Sequence, residues 1–165
     1  MMPEIAFSAL HPEVLSALRA AGWTPGRKVA TVSWVEPLAR AGHVVSPLAE
    51  AVLASLGGLV IQPAAGGESC FLNGEPFSVD PLAAGSGQRA MGMAIESMLG
   101  GSYFPIAEWL SYSSVFLEAG GRMVACGLGW IWELGGTFEE GLELAVRAHR
   151  PLVCLHADPG LDPWP

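Results

Sequence analysis

Three stretches carry residue types that could do chemistry. Gly85-Ser86-Gly87-Gln88-Arg89-Ala90 fits G-x-G-x-x-A, in which glycines let a backbone approach a pyrophosphate at a helix N-terminus. That use needs a strand directly before the first glycine, and Asp80-Pro81-Leu82-Ala83-Ala84 does not read as one. Met91, Gly92 and Met93 suit packing rather than a nucleotide crevice, and with 21 glycines in the chain such matches arise by chance. Cys154-x-His156 offers two metal ligands, but Cys70 and Cys126 lack a partner at zinc spacing, and His11, His43 and His149 are scattered. Glu108 and Glu118 are a conceivable glycosidase pair, yet solvated or turn-bonded carboxylates explain both. There is no G-x-S-x-G, no Cys–His pair of recognisable context, and no H-x-E with P-C-x-x-C. The residues therefore predict no catalytic group, no cofactor and no metal.

The six tryptophans are a richer signal. Trp23 and Trp34 read as core. Trp109, Trp130 and Trp132 flank glycines and acids, where core packing and a binding surface are both open. Beside them Glu133, Glu139, Glu140 and Glu143 concentrate negative charge at the start of the last predicted helix. Glu140 belongs to a capping box with Thr137, and Glu139 and Glu143 lie a turn apart on one side. Trp130, Trp132, Glu133, Glu139 and Glu143 are the candidate partner-binding residues, the rings supplying affinity and the carboxylates on-rate and selectivity.

The elements that must position these residues follow from composition and pattern. Hydrophobic residues are 51% and charged residues 15% of the 165, which excludes general disorder and fits one domain with its own core. The apolar runs Ala51 to Ile61 and Met123 to Trp132 are too short for a bilayer, and the N-terminus has no signal-peptide pattern. A soluble intracellular protein is expected, with its three cysteines reduced. The net charge of −8 excludes a basic nucleic-acid footprint and would attract a basic partner.

Gly22-Trp23-Thr24-Pro25-Gly26-Arg27 organises the chain. A helix starting near Pro12 carries Val14, Leu15 and Leu18 on one face and closes at Gly22. Trp23 can pack under its end, while Arg27 leaves the turn towards a carboxylate or free helix carbonyls, so Gly22, Trp23, Pro25, Gly26, Arg27 and Trp34 read as structural. Residues 29–35 permit a strand by alternation. Ser46-Pro47 opens a helix through Leu48, Val52, Leu53 and Leu56, ended by Gly57-Gly58, and Leu59 to Ile61 reads as a buried strand. Asn73-Gly74 marks a hairpin over Ser69 to Val79 whose second arm, with Pro76, is an edge or irregular. Pro81 to Gly87 reads as a loop and Gln88 to Leu99 as a helix with Met91, Ile95, Met98 and Leu99 on one side. Tyr103 to Ile106 reads as a buried connector, and Tyr112 to Glu118 and Arg122 to Cys126 as a second hairpin. Trp130-Ile131-Trp132 is a short strand or turn with its rings expected on opposite sides. A helix from Phe138 to His149 is stopped by Pro151. Residues 1–150 are expected to form one domain and 151–165 a Pro-rich C-terminal tail, which is expected to fray from Asp158 to Pro165 with Trp164 free to dock. The fold class is α+β: a mainly antiparallel sheet of two hairpins plus extra strands, packed with about four or five helices.

Gly22-Trp23-x-Pro25-Gly26-Arg27, then Trp34, Leu38 and Gly42, resembles the start of the third SUKH family of bacterial immunity proteins. Leu53-x-x-Leu56-Gly57-Gly58-Leu59, Phe77-x-Val79-Asp80-Pro81, Phe104-Pro105-Ile106-Ala107-Glu108, Phe116-Leu117-Glu118-x-Gly120-Gly121-Arg122 and Leu134-Gly135 follow in the family's order, over about residues 5 to 150. Leu56 stands where an aromatic is usual and Ala107 where glycine is. The resemblance implies that Trp34 opens a short helix through Ala41, and it implies a function: binding and neutralising a cognate bacterial toxin, often a nuclease or deaminase, by occluding its active surface. Two other classes stay open on the sequence, a nucleotide-binding domain or enzyme at Gly85 to Ala90 and a scaffold or regulatory domain such as the wider superfamily contains.

Overall fold

The computed structural model describes residues 3–64 and 74–164. Among the described residues seven strands form one sheet in sequential order, each pair of neighbours antiparallel. They are β1 (Val60–Ile61), β2 (Phe77–Ser78), β3 (Tyr103–Trp109), β4 (Ser113–Glu118), β5 (Met123–Gly127), β6 (Trp130–Gly135) and β7 (Val153–Ala157). The helices are α1 (Pro12–Ala20), α2 (Val32–Arg40), α3 (Pro47–Leu56), α4 (Pro81–Gly85), α5 (Arg89–Leu99) and α6 (Phe138–Arg147). The α+β class and the antiparallel sheet expected from the sequence are those observed.

Local chemistry sets the helix starts. Pro12 and Pro47 occupy first turns, and the Ser46 hydroxyl accepts from the Ala49 N–H at 3.1 Å. Thr137 and Glu140 close their box: the Glu140 N–H donates to Thr137 Oγ1 and the Gly136 N–H to Glu140 Oε2. Period-2 alternation along β4 and β5 then splits the core. Val115, Leu117, Met123 and Ala125 face α1, α3 and α6, while Phe116 and Val124 face α5 through Ile95.

Several expectations change. Residues 32–40 are helical, as the resemblance implied in place of the strand that alternation permitted over 29–35, and the helix begins at Val32, before Trp34. Pro81–Gly85 is a turn of helix, not a loop, because Asp80 caps it through the Ala83 N–H at 3.0 Å. Met98 on α5 is 45% exposed, which leaves Ile95 as that helix's buried anchor. The connector at 103–106 is part of strand β3, which keeps Pro105 beside a register shift, where the ladder needs no N–H from it. The first hairpin's turn and first arm, 69–73, lie outside the described residues. Its second arm, β2, is no edge but pairs on both sides. The last helix ends at Arg147, with Ala148 left-handed at φ 46°, rather than at His149. Val153–Ala157, for which the sequence suggested no element, is the seventh strand and pairs along β6.

Candidate partner-binding surface

The Gly22–Arg27 turn is tied into the core from three directions. Gly22 takes φ +106°, which lets the Trp23 N–H donate back to the Leu18 carbonyl at 2.9 Å and close α1. The Trp23 ring, 5% exposed, lies 4.9 Å from that of Phe7. Arg27 donates Nη1–H to the Ser55 carbonyl at 2.8 Å and Nη2–H to the Gly57 carbonyl at 2.9 Å, both at the C-terminus of α3. One guanidinium thus takes two acceptors left open where the helix stops. Trp34 lies half-buried over Gly57 and Gly58, where a side chain on Gly57 would collide with its ring.

The five candidate partner-binding residues do not share one surface. Trp132 is fully buried and belongs to the core under α6, so its ring is not on offer to a partner while the chain is closed. Trp130 shares its face, because residues two apart on a strand point the same way; the expectation of opposite sides fails on that period. Glu133 takes the other face, where Arg122 donates Nε–H to its Oε2 at 2.9 Å. Glu139 and Glu143 do lie along one flank of α6, and both are engaged within the chain. Glu139 Oε1 accepts the Ala6 N–H at 3.1 Å, and Glu143 Oε1 accepts from Arg147 Nη1 at 2.6 Å. Arg147 also reaches Glu13 at 3.3 Å, bracing α6 against α1.

Beside Glu139 the start of α6 borders an open depression of about 910 Å³. Its walls include Leu48, Pro47, Gly121 and Phe138, with Glu4 and Glu139 both among the lining residues. Apolar walls with carboxylates suit a partner side chain carrying a stem and a positive head. Sequence reasoning found Glu139 but missed Glu4 and Leu48, which only the folded chain brings to it.

The model of the SUKH-3 immunity protein family matches residues 10–147. The chain belongs to that family. No curated protein and no solved structure matches it.

The reactive groups of this SUKH-3 chain are placed for packing. Burial pushes the Cys126 thiol up to about 12, far from a thiolate at neutral pH. His43 is 2% exposed. Burial lowers its pKa from 6.5, against a bond from Nε2 to the Gly85 carbonyl at 3.2 Å that raises it. Since a carbonyl only accepts, Nε2 carries the hydrogen; the buried Nδ1 has no partner among the described residues, as suits a neutral ring. In the glycine-rich stretch, a Cβ on Gly85 would stand 2.5 Å from Pro105 and 2.8 Å from Leu38, so this glycine serves close packing. Among the described residues no group of three or more His, Cys, Asp or Glu is arranged to hold a metal.

Proposed function

We propose that this chain neutralises a cognate protein toxin inside the producing cell by binding it and covering its active surface, without turnover of its own. Membership of the SUKH-3 immunity family across residues 10–147 carries the reading. The net charge of −8 favours a basic toxin, as a nuclease or deaminase domain that handles nucleic acid would be. The contact we assign is the depression at the start of α6. There Glu4 and Glu139 meet basic side chains, and Pro47 and Leu48 receive their apolar stems. Glu143 and Glu133 are left out of it, since Arg147 and Arg122 already neutralise them. The test is stopped-flow association with the cognate toxin domain. Glu139→Gln keeps an acceptor for the Ala6 N–H while removing the charge, so combined with Glu4→Gln it should slow association about tenfold at low salt and flatten its salt dependence. Unchanged association would remove the depression as the contact.

A further inference from the structure

The end of the sheet bearing the β3–β4 and β5–β6 turns holds an aromatic assembly that the acidic depression does not use. The Trp130 and Trp132 rings are near parallel with centroids 6.1 Å apart, and Tyr112 meets Trp132 edge-on at 6.4 Å. The chain's own C-terminal segment lies across them. The Trp164 ring sits 6.1 Å from Trp130 and 5.8 Å from Trp132. Each strand tryptophan gives its indole N–H to a backbone carbonyl of this segment, Trp130 to Asp162 at 2.9 Å and Trp132 to Trp164. Both acceptor residues precede a proline in the sequence, Pro163 and Pro165. Ring sterics hold a residue before proline in the extended or polyproline region, so its carbonyl is presented with little conformational choice. Aromatic-lined grooves capture proline-rich strands in this way.

Two further observations mark this end. Leu110, Ser111 and Leu128 hold left-handed backbone at φ 57°, 59° and 53° in its two turns, conformations that persist only where the surroundings enforce them. Leu128 is 68% and Tyr112 44% exposed beside the assembly. Asp158 to Trp164 of the covering segment are all exposed.

We propose that Trp130, Trp132 and Tyr112 form a site for an extended X-Pro-X-Pro peptide segment, which Asp162-Pro163-Trp164 fills in cis until a partner's proline-bearing segment displaces it. The proposal rests on this geometry and not on the toxin reading. A tethered ligand competes at an effective concentration on the order of millimolar, so the free site binds more tightly than the closed one shows.

The test uses the full chain and a capped synthetic peptide, Leu-Asp-Pro-Trp-Pro, followed by the tryptophan indole N–H signals in two-dimensional NMR. The Trp130 and Trp132 signals, assigned with Trp130→Phe and Trp132→Phe, should shift saturably. Trp164→Ala should tighten apparent binding about tenfold or more by weakening the cis occupant. Should that variant lose its cooperative melt, Pro163→Ala serves in its place. Trp130→Phe, which keeps a ring but loses the N–H, should weaken binding about tenfold. The peptide with both prolines changed to alanine should bind at least tenfold more weakly. Indole signals that stay still at millimolar peptide in both parent and opened variant, or equal binding of the alanine peptide, would overturn the proposal.

Discussion

Arg27→Ala removes a single side chain and tests whether the Gly-Trp-x-Pro-Gly-Arg turn holds the fold together. The guanidinium makes two bonds, at 2.8 and 2.9 Å, to carbonyls of Ser55 and Gly57 in a part-buried setting. Bonds from a charged donor contribute about 1.5–3 kcal/mol each when buried, and a cation at a helix C-terminus adds about 0.3–1 kcal/mol. Both carbonyls can recover part of this from water once the side chain is gone. The expected loss is therefore about 2–4 kcal/mol, or about 4–16 °C in Tm at this chain length. Arg27→Lys keeps the charge but lacks the planar fork, so it should recover about half. Urea unfolding of parent and both variants measures this directly. If Arg27→Ala unfolds within about 0.5 kcal/mol of the parent, the two bonds do not stabilise the fold and the turn has another use.

The glycine-rich stretch and the buried histidine give two more tests. Gly85→Ala should cost about 1–3 kcal/mol through overpacking against Pro105 and Leu38. Gly87→Ala, with nothing near its Cβ but φ +72°, should cost only about 1–2 kcal/mol through strain; the reverse order in a thermal melt would refute the packing role. Burial lowers the pKa of His43, and that of His149 in the same direction. The unfolded chain therefore takes up protons first as pH falls below about 6.5, and stability declines from there through the lowered folded values. Above that window neither ring contributes a slope. Urea midpoints should fall between about pH 7 and pH 5.5, and less steeply in His43→Gln; an unchanged slope would show that His43 is not the group responsible.

Helix ends were the most legible features, because a cap is written in adjacent residues: Pro12, Ser46-Pro47 and Thr137 with Glu140 all sit where helices begin. The β4–β5 hairpin was legible for the same reason. What the sequence hid was decided at a distance. Val153–Ala157 has no buried alternating face of its own and becomes a strand only because β6 offers an edge. Pro81 to Gly87 read as a loop, yet the Asp80 carboxylate before it makes the cap of α4. At the candidate surface, sequence clustering put Trp132, Glu133 and Glu143 together with Trp130 and Glu139. The fold buries the first and pairs the next two with Arg122 and Arg147. Clustering along the chain does not reveal which neighbours a strand turns to opposite faces. The covering role of the C-terminus had a local signal in Asp162-Pro163-Trp164-Pro165, whose acceptor carbonyls become legible only once Trp130 and Trp132 are seen to meet them.

The central claim is that this SUKH-3 chain neutralises a toxin by binding it. The most direct measurement is titration of its purified cognate toxin domain with the full chain, following the toxin's own activity. Stoichiometric binding predicts a linear fall to zero at one chain per toxin, with the toxin recovered active after the complex is dissociated. Full toxin activity in the presence of excess chain, or loss of activity far below one equivalent with a chemically altered toxin, would contradict it.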